Sequence, residues 1–498
     1  MAKALMFLGT GSDVGKSVVA AAFCRIFKRR GYRVAPFKAQ NMSNNSYVTI
    51  EGGEIGRAQV VQAEAAGLLP SVHMNPILLK PSSERGSQVV LQGKVFGQMD
   101  AVHYHEYKPR LREIVADSYD RLAGEYDLIV MEGAGSCCEM NLKANDLVNF
   151  PMAMAAGAPC VLVADIDRGG VFAQIIGSIH LMTPKERALV IGSMVNKFRG
   201  DPELFRSGIE YIEKKSSKPV LGLVPFYTHI HIDPEDSVSV QEDKRPHRPV
   251  GPNTVNIAVL KLPAISNFTD LGLMEREKDV VLNYLHRPLE LRLEYDLLII
   301  PGTKNTMEDA LWLGRSGWKR AVRHFAGAGR GVLGICGGYQ LLGKKIEDPH
   351  GVESSRKEIG GLGLLPVVTA LEREKIVRKV HGTCLFNEKT VSGYEIHMGL
   401  SRMVDRTGSP FLRIRETGRK DAWDDGCMTP GGKVMGTYVH GIMDSPGFRG
   451  DVLNRLRRAK GLKARPARTG RLSRFRQYDL LADFFETHCD VDKILAAL

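Results

Sequence analysis

The chain has 498 residues and a formal net charge of +12 at pH 7. This length exceeds what one hydrophobic core usually serves, and at about 150 residues per domain it indicates two to four domains. The sequence contains no apolar run long enough to span a membrane, and charged and glycine-rich residues interrupt the N-terminal apolar stretch where a secretory signal would lie. We therefore expect a cytoplasmic protein with no membrane partner.

A phosphate-binding loop is predicted at the start of the chain. The apolar strand Ala4–Leu8 leads into it, and an amphipathic helix to Arg30 follows. The loop residues are Gly9, Thr10, Gly11, Ser12, Asp13, Val14, Gly15, Lys16 and Ser17. Backbone N–H groups of such a loop converge on phosphate oxygens, Lys16 supplies a cation, and the Ser17 hydroxyl can ligate Mg²⁺. Thr10 stands where the usual GxxxxGK[ST] pattern has glycine, so the loop is one residue longer than usual. The sequence thus predicts ATP binding.

Polar residues follow two later strands of this region. Lys38 can neutralise phosphate or carboxylate, and the amides of Gln40 and Asn41 could hydrogen-bond the carboxyl and amide arms of a substrate. Glu132 ends an apolar strand, where open α/β sheets place groups that contact ligands, and a solvated loop carboxylate is the alternative. Asp146 has a structural explanation as the N-cap of a helix beginning near Leu147.

The segment 241–252 is charged and proline-rich without apolar periodicity, which predicts an interdomain linker. We therefore expect a nucleotide-binding domain at 1–240, a second domain at 253–460 and a basic C-terminal extension at 461–498. Apolar strands alternate with helical patterns in both large regions. The predicted fold class is α/β, with two doubly wound domains and mainly parallel sheets.

The second domain contains a predicted nucleophile elbow. The apolar run Gly331–Ile335 leads into Cys336, which is followed by Gly337 and Gly338. Glycines flank such a turn because only residues without Cβ let the backbone fold that tightly around an outward-pointing nucleophile. The positive end of a following helix favours thiolate. A buried structural cysteine in a tight turn is the alternative.

Two further segments bear on this choice. A strand-like run delivers His440 next to a glycine, and a histidine downstream of a cysteine fits a general base for a thiol nucleophile. Gly302 follows the apolar strand Tyr295–Ile300, where its N–H could face a developing oxyanion together with the N–H of Gly337. An ordinary βα turn would also explain Gly302.

The order of PGTKNT, GICGGYQ and GTYVHG resembles the glutaminase domain of class I glutamine amidotransferases, and most closely that of the cobyric acid synthase family. Most class I glutaminases carry glutamate two residues after the histidine. Ile442 occupies that position here, so the resemblance implies a Cys336–His440 dyad and leaves open which group orients His440. Asp444 is near in sequence, but spacing does not show that it reaches the histidine.

The long phosphate-binding loop is similar to that of dethiobiotin synthetase and its relatives, and resemblance to the cobyric acid synthase family extends over nearly the whole chain. In that pattern Glu132 helps Ser17 to hold Mg²⁺, and Asp146 faces the acyl-transfer centre. The resemblance implies ATP- and glutamine-dependent amidation of the b, d, e and g carboxylates of adenosylcobyrinic acid a,c-diamide, giving adenosylcobyric acid in cobalamin biosynthesis. The implied partners are L-glutamine and a corrinoid polycarboxylate, and the oligomeric state stays open.

Two alternatives remain at this point. A corrin a,c-diamide synthase, or another carboxyl amidotransferase, would share these motifs. The basic tract between Arg449 and Arg476 also suits a nucleic-acid-binding switch ATPase of the partition type. Such switches carry an additional early lysine in the loop, which is absent here, and have no use for a glutaminase. We therefore expect no nucleic-acid partner.

Overall fold

The computed structural model describes residues 2–81, 86–233, 235, 247–468 and 470–498. The chain divides into two compact units. The first comprises Met1–Ser43, Thr49–Glu235 and Arg474–Leu498, and the second comprises Asn44–Val48 and Asp236–Ser473. Residues 241–246 of the predicted linker lie outside the described residues.

The first unit is built on a six-stranded parallel sheet. Its strands, in spatial order, are Val220–Pro225, Val190–Phe198, Cys160–Asp165, Lys3–Gly9, Leu128–Glu132 and Val34–Phe37. Their near-continuous runs of buried apolar residues are typical of strands covered on both faces. Because parallel strands end at one edge of a sheet, Gly9 and Glu132 are brought to the same edge.

Helices and a smaller sheet complete this unit. The α-helices are Lys16–Arg29, Arg57–Ala66, Ala101–Glu125, Phe150–Ala155, Val171–Leu181, Pro184–Leu189, Arg206–Ser216, Gly470–His488 and Val491–Ala496. The smaller sheet has four strands, Gln40–Met42, Ile77–Pro81, Gly86–Leu91 and Lys94–Asp100.

The C-terminal helices pack into the core of the first unit. Tyr478, Leu481 and Phe485 are buried there and lie three or four residues apart, so they form one apolar face of the helix Gly470–His488. That face shares a core with the helix Lys16–Arg29. The end of the segment predicted as a basic C-terminal extension thus contributes to the hydrophobic core of the first unit.

The second unit has its own six-stranded sheet. In spatial order the strands are Val280–Leu285, Val255–Leu260, Leu297–Ile300, Gly331–Ile335, Val434–Thr437 and Cys427–Met428. All neighbouring pairs are parallel except the last, which is antiparallel. The α-helices are Gly272–Glu275, Thr306–Arg315, Trp318–Gly327, Gly337–Leu342 and Pro446–Ala459. The two mainly parallel sheets confirm the predicted α/β fold class.

A second, largely antiparallel sheet in this unit was not anticipated. Its strands are Lys345–Glu347, Glu358–Gly360, Val367–Cys384, Thr390–Met403, Leu412–Glu416 and Ala422–Asp425. The two longest strands pair with each other over most of their length. Across the described part of the chain, no helix combines the length and apolar character that crossing a membrane requires.

Candidate active site

Cys336 occupies a strained turn between the strand Gly331–Ile335 and the helix Gly337–Leu342. Its backbone angles are φ 52° and ψ −111°, a conformation that costs free energy for any residue with a Cβ. The N–H of Cys336 donates to the carbonyl oxygen of Thr437 at 2.8 Å, which fixes the turn against the neighbouring strand. Strain of this kind is maintained only where surrounding contacts impose it, and it occurs often at functional sites.

The glycines beside Cys336 are required by close packing. A Cβ on Gly338 would lie 2.0 Å from the carbonyl oxygen of Ile300, and one on Gly334 would lie 2.6 Å from that of Gly338. Both distances are far below van der Waals contact. The pattern of glycines thus follows from the tight turn itself.

The structure places His440 beside the Cys336 thiol, whose charge and hydrogen bond contribute to the raised pKa of the imidazole, and the thiol donates a hydrogen bond of 3.4 Å to the carbonyl oxygen of Ile396. Thr437 lies opposite Ile335 in the parallel sheet, so the chain just after Thr437 continues beside the elbow. The backbone of His440 exchanges two hydrogen bonds with Tyr394, of 2.9 and 3.1 Å, and the two rings stack with their centroids 5.4 Å apart. These contacts hold the imidazole in place.

Asp270 is the carboxylate that orients His440. Its Oδ2 lies 2.7 Å from Nδ1 of His440, and its Oδ1 accepts a hydrogen bond of 2.9 Å from the N–H of Gly441. Sequence reasoning missed this residue because it lies 170 positions before His440. The only signal was that the segment Ile265–Asp270 lies in the long part of the chain that resembles the family. Asp270 therefore orients His440, a role that the apolar side chain of Ile442 cannot take.

The surroundings of His440 favour its protonated form. Burial by itself would lower the pKa of the imidazole, but the negative charges of Asp270 and Cys336 and the hydrogen bonds to both raise it to about 10. An imidazolium beside the sulfur can protonate a leaving group, and the neutral imidazole can then accept a proton from water. The three groups can therefore act as nucleophile, acid–base catalyst and orienting carboxylate.

The predicted oxyanion residues lie beside these groups. Gly302 pairs with Ser266 in a short antiparallel ladder, and a Cβ on Gly302 would lie 3.0 Å from Cε1 of His440. Gly337 directly follows Cys336 and begins the helix. The structure thus gathers both glycines around the thiol and imidazole, and their part in binding an oxyanion stays a prediction.

The phosphate-binding loop follows the strand Lys3–Gly9. Lys16 is 7% exposed, and its Nζ donates hydrogen bonds of 2.9 Å to the carbonyl oxygens of Gly11 and Gly135. Gly15 has φ 99°, a left-handed conformation that favours glycine. Burial lowers the pKa of Lys16, while the carboxylate charges nearby oppose that effect.

Four predicted residues meet at the edge of the first sheet. The Ser17 hydroxyl lies 2.7 Å from Oε1 of Glu132, and Nζ of Lys38 lies 3.0 Å from the same oxygen. Burial would lower the pKa of Lys38, but the charges of Glu132 and Glu235 raise it above its ordinary value. A serine hydroxyl beside a buried carboxylate is an oxygen donor set that suits Mg²⁺. Lys16, on the same loop as Ser17, is the fourth member.

Three other candidates have structural partners. The Asn41 amide donates to Oε1 of Gln59 at 3.0 Å, and Gln40 accepts a hydrogen bond from the Tyr104 hydroxyl. Oδ1 of Asp146 accepts hydrogen bonds of 2.8 and 3.2 Å from the N–H groups of the second and third residues after it. It therefore caps a turn before the helix that begins at Phe150, later than the predicted start near Leu147.

Comparison with known proteins gives one family for each half of the chain. Residues 5–240 match the CobQ/CobB/MinD/ParA nucleotide binding domain, and residues 256–448 match the CobB/CobQ-like glutamine amidotransferase domain.

Relatives match over the full length. Cobyric acid synthase from Syntrophobacter fumaroxidans is 49% identical, with 99% of this chain and 98% of the relative covered. The enzyme of the same name from Photorhabdus laumondii is 47% identical, with the same coverage. That from Clostridium botulinum is 45% identical over 100% of this chain and 99% of the relative.

Proposed function

Since the chain belongs to the cobyric acid synthase family, we propose that it amidates four carboxylates, b, d, e and g, of adenosylcobyrinic acid a,c-diamide to give adenosylcobyric acid. Membership of the family establishes a glutamine amidotransferase ligase that carries out ATP-driven amidation in cobalamin biosynthesis. The corrinoid substrate and its four positions are our proposal.

The second unit would release ammonia from glutamine. The Cys336 thiolate attacks the side-chain amide carbon, forming a carbon–sulfur bond, and the imidazolium of His440 protonates the departing nitrogen. His440 then removes a proton from water, whose oxygen attacks the thioester carbon. The carbon–sulfur bond breaks, which releases glutamate and restores the Cys336 thiolate beside the protonated His440. Asp270 holds the imidazole in position, and the N–H groups of Gly302 and Gly337 would stabilise the oxyanion.

The first unit would activate the carboxylate. Ammonia does not displace oxide from a carboxylate, whereas it displaces phosphate from an acyl phosphate. A corrinoid carboxylate oxygen would attack the terminal phosphorus of ATP, with ADP leaving, and ammonia would then attack the acyl carbon and expel phosphate. Lys16 and Lys38 would neutralise phosphate charge. Ser17 and Glu132 would hold Mg²⁺, which supplies further charge neutralisation on the phosphates when it is bound.

The observation that carries the glutaminase half is the contact of His440 with both the Cys336 thiol and the Asp270 carboxylate. Cys336→Ala should lower glutamine-driven amidation at least about 10³-fold, because no other thiol replaces the nucleophile. Amidation driven by high ammonium should persist. Cys384→Ala, which removes another buried thiol of the same unit, is the matched control and should retain glutamine-driven activity. Full glutamine-driven activity of Cys336→Ala would refute the assignment.

Mass spectrometry of the corrinoid product tests the substrate. We expect four amidations of the a,c-diamide, with intermediates at one, two and three. Cobyrinic acid is supplied as a second substrate. If it gains two amides and the a,c-diamide gains none, the protein is instead a corrin a,c-diamide synthase.

A further inference from the structure

We propose that Glu235 is a further magnesium ligand of the nucleotide site, acting with Ser17 and Glu132. The inference rests on the proposed function, because that function places Mg²⁺ and ATP at this site. Glu235 lies 218 positions from Ser17 in the sequence and belongs to none of the motifs that predicted the site.

Partly buried contacts with Lys38 and Ser43 place Glu235 beside the loop, with its side chain 25% exposed. Its Oε1 accepts a hydrogen bond of 2.7 Å from Nζ of Lys38, and its backbone carbonyl accepts one of 2.9 Å from the Ser43 hydroxyl. Two residues earlier, Asp233 forms an ion pair of 2.7 Å with Arg57, and both of these side chains are less than a tenth exposed. Polar contacts therefore hold the chain at Asp233 and again at Glu235.

The Ser17 hydroxyl has more acceptors than protons. Its Oγ lies 2.7 Å from Oε1 of Glu132 and 2.5 Å from Oε2 of Glu235, and one hydroxyl can donate only one proton. With two ionised carboxylates, one of these two contacts joins oxygen to oxygen with no proton between them. A cation among the three oxygens removes that repulsion.

The spacing suits magnesium. Mg²⁺ binds oxygens at about 2.0–2.1 Å in octahedral geometry, so neighbouring ligands lie about 2.9 Å apart. The observed separations of 2.5 and 2.7 Å from Ser17 Oγ are close to that edge. Small outward movements of the two carboxylates would admit the ion.

An unpartnered buried group at the same place supports a hydrated ion. Gln62 is 0% exposed, and its Nε2 donates to Oε2 of Glu132 at 2.7 Å. Oε1 of that amide has no hydrogen-bond partner among the described residues. Mg²⁺ in nucleotide sites usually retains several waters, which are hydrogen-bond donors. Gln62 Oε1 is an acceptor for one of them.

Manganese binding followed by electron paramagnetic resonance tests the proposal without turnover. The full chain is titrated with Mn²⁺ in the presence of a non-hydrolysable ATP analogue, and analogue binding is measured separately without metal. For Glu235→Gln we expect Mn²⁺ affinity to fall at least about 10-fold, whereas metal-free binding of the anionic analogue should not weaken, because the substitution removes a negative charge beside Lys38. Glu203→Gln, which neutralises an exposed carboxylate of the same unit, is the control and should match the unaltered protein.

Two results would overturn the inference. Unchanged Mn²⁺ affinity in Glu235→Gln would show that the carboxylate is not a ligand, and tighter binding would show that it competes with the ion. Glu235→Asp keeps the charge and guards against a folding defect, because a ligand role predicts affinity between those of the unaltered protein and Glu235→Gln. If the unaltered protein binds no analogue, or Lys16→Ala binds it equally well, the proposed nucleotide site fails instead.

Discussion

The two oxygens of the Asp270 carboxylate have different partners, and this division explains how the residue can control the imidazole. Oδ1 is fixed by the N–H of Gly441, which leaves Oδ2 directed at Nδ1 of His440. A carboxylate held in this way selects the tautomer whose Nε2 is available to sulfur. The contact therefore sets both the orientation and the charge of the base.

Replacing this carboxylate should impair glutamine hydrolysis more than fold stability. For Asp270→Asn we expect kcat for glutaminase activity to fall about 10²–10⁴-fold, because an amide neither selects the tautomer nor stabilises the imidazolium. Steady-state glutamate release is the measurement. Asp444→Asn, at the carboxylate nearest to His440 in sequence, is the matched control. Equal losses in the two variants would contradict the role of Asp270.

The pH dependence of glutaminase activity should report the raised pKa of His440. Since the imidazolium protonates the leaving nitrogen, kcat/KM should fall at high pH with an apparent pKa near 10. In Asp270→Asn this limb should move down toward about 6.5, the ordinary histidine value. If the high-pH fall of kcat/KM stays at the same pH in Asp270→Asn, that fall reports the titration of another group.

The same shift predicts how stability varies with pH. The folded-state pKa of about 10 lies above the unfolded value of about 6.5, so the imidazolium contributes fully to stability below the unfolded value. That contribution disappears as the pH rises through 10. Urea unfolding across this pH range should show that the free energy of unfolding of the unaltered protein falls, and that it falls less in Asp270→Asn. Identical pH profiles of the two proteins would contradict the raised pKa of His440.

At the scale of secondary-structure elements, the elbow requires close approach of a strand and a helix. Gly338→Ala would place Cβ 2.0 Å from the Ile300 carbonyl oxygen, so the helix must move away. We expect a loss of about 1–3 kcal/mol in the free energy of unfolding, together with reduced glutaminase activity.

Gly314→Ala provides the comparison for this prediction. Gly314 is exposed in the helix Thr306–Arg315, and no atom lies within 4 Å of an added Cβ. The substitution should stabilise the unit by about 0.5–1 kcal/mol, because alanine loses less backbone entropy in a helix. Chemical denaturation measures the free energy of unfolding of both variants. An unchanged free energy of unfolding in Gly338→Ala would show that the strand and the helix can move apart without cost.

At the scale of the whole molecule, the nucleotide-binding unit is assembled from the two ends of the chain. Phe485, in the C-terminal helix, is 1% exposed within the core that also contains Phe23. Phe485→Ala should therefore destabilise this unit by about 3–5 kcal/mol through lost burial and a residual cavity. Thr487→Ala, at an exposed position of the same helix, should change stability by less than about 0.5 kcal/mol. Thermal unfolding with and without nucleotide is the measurement.

Much of the parallel framework could be predicted, because it depends on local patterns. The predicted strands Ala4–Leu8 and Tyr295–Ile300 are observed as Lys3–Gly9 and Leu297–Ile300, since continuous apolar runs bounded by turn residues identify buried strands. The strands Val367–Cys384 and Thr390–Met403 were missed. They form a long antiparallel pair containing many polar and partly exposed residues, so no continuous apolar run marks them.

The sequence by itself determined the residues whose role depends on neighbours in the chain. Glycines around Cys336 and before Lys16 are dictated by backbone geometry over a few residues, which is legible as a motif. Only the tertiary structure decided that Asp270 meets His440, that Glu235 meets Ser17, and that the last helices complete the first core. The physical reason is that these partners are chosen by burial and charge between distant segments, and no local pattern records which segments fold together.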